Sequence, residues 1–138
     1  DRLGARASAK LRLCALAGAP VELSRHWRPA DGVVIVDAAR GGGGPPGSIY
    51  RFDALAGPLP GGVFAVSTHA LGVSQGIELA RALGQLPRRL WVYGIEGQDF
   101  RRGAPLSAEV LAAIEVLAAQ LEIDPLSAAL PDPERRGA

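Results

Sequence analysis

An aspartate and a histidine each follow a short apolar run in the sequence, at positions where their side chains could take part in chemistry. Asp37 comes directly after four consecutive β-branched residues, and His69 lies three residues after Val66, which ends a second run. A carboxylate at the end of a buried strand is costly unless a cation, a metal or several hydrogen-bond donors meet it. A neutral imidazole is a common metal ligand. Together the two residues suggest a metal site.

Each of these residues also has a purely structural interpretation. Asp37 is the type of residue that caps a helix or anchors a loop, and His69 fits equally well as a capping or surface histidine. An open metal site usually has three protein ligands, so a third would have to come from elsewhere in the chain. His26, between polar residues, is expected at the surface. At this point the residues alone leave the choice open.

The strands that would position Asp37 and His69 are predicted from apolar runs. Gly32 to Ala39 is typical of a strand buried on both faces of a parallel sheet. Ser48 to Asp53 alternates apolar and polar residues, which predicts a strand at a sheet edge. Val63 to Val66 and Leu90 to Ile95 predict two further buried strands, and Val21 to Leu23 predicts a short extended piece.

Three helices are predicted between and around these strands. The spacing of apolar residues from Leu3 to Cys14 predicts the first, with Cys14 filling the core. A second begins close to His69 and ends near Gly84. The third has Ser107 as its N-cap and carries its apolar stripe on Val110, Ile114, Leu117 and Leu121. Alternating strands and helices predict an α/β sheet with helices on both faces.

Length, composition and charge limit the class of protein further. The 138 residues suit one domain, spanning 1–138 with a loose tail from 125 to 138. Fifteen basic and fourteen acidic residues without a run of one sign argue against nucleic acid as a partner. No apolar stretch is long enough to cross a bilayer, so no membrane partner is expected. The single cysteine suits a reducing compartment, for which we expect the cytoplasm.

Other catalytic templates fit the sequence poorly. The glycines from Gly41 to Gly44 follow a strand but lack the residues of a phosphate-binding loop, and Pro45 and Pro46 supply no amide to a phosphate. Ser67 and Ser74 have no G-x-S-x-G context, so a serine hydrolase of the α/β type would lack its nucleophile. Neither a nucleotide site nor an acyl-enzyme mechanism is therefore expected.

Four segments in this order resemble the hydrogenase maturation protease family: VVIVDAAR, PPGSIYRFD, VSTHALGVSQGIELARALG and RLWVYGIEGQDFRRGAPLS. The resemblance extends from Asp1 to about Leu121. Members of this family are endopeptidases that remove a C-terminal extension from the large subunit of nickel-iron hydrogenases once nickel has been inserted. The resemblance implies a three-layer α/β fold, with a twisted, mainly parallel sheet, one antiparallel strand and helices on both faces, similar to phosphorylase-hydrolase-like proteins.

The same resemblance implies three ligands for the nickel of the substrate, and these are Asp1, Asp37 and His69. Asp1 is assigned because residues 1–4, DRLG, are similar to the end of a family segment that begins with the first strand. We therefore expect that strand to be missing from the sequence, and the stretch from Leu23 to Ala30 is shorter than in relatives. The nickel is expected to come with the hydrogenase precursor, so the isolated protein should hold none tightly.

The resemblance thus implies a nickel-dependent, metal-assisted endopeptidase of the aspartic type, acting as a monomer in the cytoplasm on a nickel-loaded hydrogenase large-subunit precursor. The alternative from another class is a non-catalytic α/β binding or chaperone-like module for hydrogenase assembly. Arg101 and Arg102 follow the last predicted strand and either contact the substrate or belong to a solvated loop. Glu96 and Asp99 either face a helix or contact the side chains of the site without touching the ligand themselves.

Overall fold

The computed structural model describes residues 13–14, 20–29, 31–60, 72–101 and 103–123. Asp1, His69, Arg102, the predicted strand at 63–66 and the tail from 125 lie outside these ranges, as does nearly all of the predicted first helix. The described elements are a 3-10 helix at Pro20–His26, strands β1 (Gly32–Ala39), β2 (Ile49–Asp53) and β3 (Arg89–Glu96), and helices α1 (Val73–Ala82) and α2 (Ala108–Ile123).

Strand β3 is the central strand of the described sheet, whose order is β1-β3-β2. β1 pairs with β3 in parallel, which places Asp37 opposite Gly94. β2 pairs with the other side of β3 in antiparallel orientation, which places Tyr50 opposite the same glycine. A parallel pair with one antiparallel strand confirms the predicted mixed α/β sheet. The position of β2 at an edge of the described sheet is also as predicted.

The two helices pack on opposite faces of this sheet, because successive side chains of β3 point to opposite sides. Leu90 and Val92 belong to one core cluster with Ile77 of α1. Tyr93 belongs to the other cluster, with Leu117 of α2. We call these the α1 face and the α2 face. The three-layer arrangement expected from the sequence is therefore confirmed for the described elements.

Helix α2 begins and faces the sheet as its sequence predicts. The hydroxyl of Ser107 accepts the backbone N–H of Val110 at 3.2 Å, which makes Ser107 the N-cap. Leu117 and Leu121 are buried against the α2 face, whereas Leu111 points to solvent. No helix in the described part of the chain is long and apolar enough to cross a membrane.

Helix α1 runs along the α1 face between two glycines. At its start the side chain of Gln75 accepts the backbone N–H of Gly72 at 2.9 Å. Past its end, Gly84 has φ of +67°, a left-handed conformation that favours glycine. The predicted end of the second helix is thus confirmed. Its described start, Val73, is four residues after His69 in the sequence.

Three local predictions need correction. The segment from Val21 to Leu23 is part of a 3-10 helix and not extended. Pro20 starts this helical turn, and the turn buries Leu23 and Trp27 in the core. Trp27 donates its indole N–H to the carbonyl of Gln85 at 2.8 Å. Cys14 is exposed and lies outside any described helix, so it does not fill the core.

The third correction concerns β1, which the apolar run predicted to be covered on both faces. Ala39 is fully buried on the α1 face, but Val36 is 48% exposed on the α2 face. β1 is an edge strand of the described sheet, and α2 covers β3 more fully than β1.

His26, predicted at the surface, is exposed.

Candidate functional site

The carboxyl ends of β1 and β3 lie side by side and form the edge of the sheet where ligands gather in α/β proteins. Ala39, the last residue of β1, is opposite Glu96, the last residue of β3. The chain continues from these ends into a glycine-rich loop, residues 40–47, and into a second loop, described over residues 97–101 and 103–107. Gly97 donates its N–H to the carbonyl of Ala39 at 3.0 Å, which holds the starts of the two loops together.

Asp37 lies at this edge with its carboxylate only partly covered. Its Oδ1 accepts the backbone N–H of Ala38 at 2.9 Å. Partial burial raises the pKa of the Asp37 carboxyl above its ordinary value, and the N–H of Ala38 offsets part of that rise. None of the ion pairs between described residues involves Asp37. A carboxylate that is poorly solvated and unpaired in this way gains strongly from a cation brought to it.

Asp37 is the one predicted nickel ligand that the structure describes. By alternation along β1 it belongs to the same row of side chains as Ile35 and Ala39, on the α1 face. No group of three metal-binding side chains converges among the described residues. Asp1 and His69 lie outside those residues, so the predicted three-ligand set stays a prediction.

Glu96 is a second carboxylate at this edge, and the sequence left its role undecided. It is buried at the end of β3, with 6% of its surface exposed. Its Oε1 accepts the N–H of Gly42 at 3.0 Å and the hydroxyl hydrogen of Tyr50 at 3.3 Å. The signal was present in the sequence, because Glu96 follows an apolar strand just as Asp37 follows four β-branched residues.

Tyr50 connects Glu96 to the glycine-rich loop. Its hydroxyl oxygen accepts the N–H of Gly44 at 2.9 Å. Burial raises the pKa of Tyr50; the Gly44 N–H opposes this rise, and the negative charge of Glu96 adds to it. A Cβ on Gly42 would lie 2.5 Å from Cζ of Tyr50. The loop is therefore packed against Tyr50, and the N–H of Gly44 ties it to the hydroxyl of that residue.

The second loop carries the charged residues that the sequence placed near a substrate. Arg101 donates to Asp99, with 2.6 Å between Nη2 and Oδ2, and this contact holds the pKa of the exposed Asp99 below its ordinary value. The guanidinium of Arg40 lies over the ring of Phe100, 5.3 Å from its centroid. The described arginines of this edge thus have local contacts, and whether they touch a substrate stays a prediction.

A cleft of about 340 Å³ opens on the α2 face beside the end of β1. It lies between the carboxyl ends of β1 and β3, the second loop and the first turns of α2. Its walls are largely apolar, and Asp37 and Asp99 are the acidic residues at its border. The lining residues are Val36, Asp37, Ala38, Ile95, Gly97, Gln98, Asp99, Phe100, Pro105, Leu106, Ser107, Val110 and Ile114.

The fold and the edge just described define an α/β protein whose candidate site is built on carboxylates at the ends of parallel strands. Comparison with known proteins then assigns the family: the chain belongs to the hydrogenase maturation proteases, whose family model matches residues 17–123. This confirms the resemblance inferred from the four sequence segments. By class the protein is therefore a maturation protease.

A solved structure agrees with this assignment. The chain is similar to the solution structure of an endopeptidase from Escherichia coli, with 26% sequence identity and a TM-score of 0.58. The similarity covers 77% of this chain and 68% of the other. No curated protein gives a significant sequence match.

Proposed function

We propose that this protease removes the C-terminal extension of a nickel-iron hydrogenase large-subunit precursor after nickel insertion. The observation that carries the proposal is the partly buried, unpaired carboxylate of Asp37, at the carboxyl end of β1 in a chain of this family. In the proposal the nickel belongs to the substrate, and Asp1, Asp37 and His69 bind it when the precursor docks. The enzyme thereby distinguishes a nickel-loaded precursor from an empty one.

The chemistry of Asp37 suits this role. Since burial disfavours the charged form of its carboxyl, a divalent cation at the same place restores that form and lowers the free energy of the complex. Nickel accepts oxygen and nitrogen donors, so two carboxylates and one imidazole are a suitable set. Three protein ligands leave positions open, at which a divalent metal polarises a peptide carbonyl or activates a water. Such hydrolysis needs no serine or cysteine nucleophile.

The experiment compares nickel-loaded and nickel-free precursor as substrates for the full-length protein. Mass spectrometry of the precursor should show loss of a C-terminal fragment with the nickel-loaded form alone. Asp37→Asn and His69→Ala should each lower the cleavage rate by more than about 100-fold, because several kcal/mol of charge stabilisation is lost. Asp53→Asn is the matched control, since Asp53 ends β2 at the opposite edge of the sheet, beside Trp91.

Cleavage of both precursor forms at equal rates would contradict recognition of nickel. No cleavage of either form by a folded protein would contradict the protease reaction itself. If Asp37→Asn and His69→Ala also left precursor binding and hydrogenase maturation intact, the non-catalytic assembly module would be the better description. We further propose that the protein acts as a monomer in the cytoplasm, which sedimentation and cell fractionation test directly.

A further inference from the structure

Glu96 is the one charged side chain that is buried among the described residues. Placing a carboxylate away from water is costly unless hydrogen bonds compensate it. The hydrogen-bond partners of Glu96 therefore indicate what the residue does for the protein. These partners are Gly42 of the glycine-rich loop, residues 40–47, and the buried Tyr50, on which that loop packs.

Two amides of the loop are held through this carboxylate. Gly42 donates its N–H directly to Oε1 of Glu96 at 3.0 Å. Gly44 donates to the hydroxyl of Tyr50, and that hydroxyl donates in turn to the same Oε1. One carboxylate oxygen thus fixes the loop at two alternate residues. Hydrogen bonds to a charged acceptor are roughly twice as strong as those between neutral groups, which makes the anchor firm.

The anchored loop starts where the strand of Asp37 ends. Three residues separate Asp37 from Gly41, and Ala39 between them is paired with Glu96 itself. The carboxylate of Asp37 is oriented by the backbone N–H of Ala38, so its direction depends on the backbone at the end of β1. The ladder with β3 holds this backbone as far as Ala39, and the loop tied to Glu96 holds the residues that follow, so the two together keep the end of β1 in place.

We propose that Glu96 is a positioning residue of the candidate site: through Gly42 and Tyr50 it fixes the glycine-rich loop and thereby the direction of the Asp37 carboxylate. This inference rests on the proposed function for its catalytic consequence. The anchor requires a hydrogen-bond acceptor at Oε1. Glu96 does not touch the reacting atoms, so it acts through Asp37 and the loop.

The other oxygen of the same carboxylate does not contribute to the anchor. Oε2 is buried and has no hydrogen-bond partner among the described residues. An unsatisfied buried oxygen destabilises the folded state. Glu96→Met also removes the acceptor of the Gly42 N–H and of the Tyr50 hydroxyl, and a buried donor left without an acceptor lowers stability. Glu96→Gln keeps an acceptor at the same place, so the comparison of the two variants isolates the anchor.

The test uses the full-length protein with Glu96→Gln and Glu96→Met. Gln keeps an acceptor oxygen for Gly42, and Met has a similar length without one. Hydrogen exchange of the Gly42 and Gly44 amides, followed by NMR, reports the anchor. The kcat and KM for nickel-loaded precursor report the site, measured well below each melting temperature so that stability does not enter. Glu78→Gln is the control, because Glu78 is on α1 and pairs with Arg81.

In Glu96→Met we expect both amides to exchange faster and kcat to fall about 10- to 100-fold, as for other residues that orient a ligand, with a smaller change in KM. Glu96→Gln should keep slow exchange and a kcat close to that of the unmodified protein. Wild-type kcat in Glu96→Met, or equal losses in both variants, would overturn the inference. Failure of the unmodified protein to cleave the precursor would instead contradict the proposed function.

Discussion

Asp37 and Tyr50 lie in one row across the sheet, on either side of Gly94. Since Gly94 has no side chain, the carboxylate and the phenol are the side chains of this row on the α1 face. The next row toward the carboxyl ends contains Ala39 and Glu96. The hydroxyl of Tyr50 reaches across to Glu96 and not to Asp37.

This arrangement gives the two carboxylates of the edge different environments and different uses. Glu96 is buried, and one of its oxygens is occupied by the N–H of Gly42 and the hydroxyl of Tyr50. Asp37 is partly covered and accepts a single described hydrogen bond, from its own neighbour. Of the two, Asp37 is the one free to meet a ligand.

Asp37→Asn should make the protein more stable at neutral pH while removing its activity. Burial raises the pKa of this carboxyl in the folded chain, so the folded state binds the proton more tightly than the unfolded state. The more tightly bound proton stabilises the folded state. This stabilisation is present in full below the ordinary aspartate pKa of 3.8, and it is lost as pH rises through the pKa of Asp37 in the folded chain. Asparagine does not ionise and keeps an oxygen for the N–H of Ala38.

Urea unfolding of both proteins from acid to neutral pH measures this effect. The free energy of unfolding of Asp37→Asn should exceed that of the unmodified protein at neutral pH, and the difference should shrink as pH falls. A constant difference across the range would show that burial of Asp37 is not its source.

Gly42→Ala should destabilise the protein by about 1–3 kcal/mol, the usual range for overpacking. The added methyl group would lie 2.5 Å from Cζ of Tyr50, so the loop or the ring must shift. Gly57→Ala is the matched control, because nothing lies within 4 Å of its Cβ position. Urea denaturation compares the two. Equal stability of both variants would mean that the loop does not pack on Tyr50.

Leu117→Ala should lower the free energy of unfolding by about 2–5 kcal/mol, since it opens a cavity between α2 and the sheet. Leu117 is 2% exposed, whereas Leu111 on the same helix is 50% exposed. Leu111→Ala makes the same change in helix propensity and should change stability by no more than about 0.5 kcal/mol. Thermal or chemical denaturation of this pair tests whether α2 covers the sheet through Leu117.

Ser107→Ala should destabilise α2 by about 0.5–2 kcal/mol, because the N–H of Val110 loses its side-chain acceptor. Ser107→Asp should restore the stability, since a carboxylate caps equally well and interacts favourably with the helix dipole. Hydrogen exchange of the Val110 amide reports the cap itself. If alanine and aspartate behaved alike, Ser107 would not be acting as the cap.

Patterns in the sequence correctly predicted the features of this protein that depend on neighbouring residues. The apolar run over Gly32–Ala39 gave strand β1 within the same bounds, and the spacing from Val110 to Leu121 gave the buried stripe of α2. Helix ends at Ser107 and Gly84 followed from capping chemistry. The order of four segments predicted the family, which the family model confirms. Local patterns succeed here because periodicity and capping act within one element.

Contacts between side chains of different elements could be found only in the folded chain. Gly42, Tyr50 and Glu96 are up to 54 residues apart in the sequence, so nothing local shows that a buried carboxylate fixes the glycine-rich loop. The same is true of the 3-10 helix. The segment from Val21 to Leu23 suits a strand and a helical turn equally, and the contact that distinguishes them is the distant hydrogen bond from Trp27 to the carbonyl of Gln85. Hydrogen bonds and burial between distant segments depend on the order of the strands in the sheet. That order cannot be inferred from the sequence of any single strand.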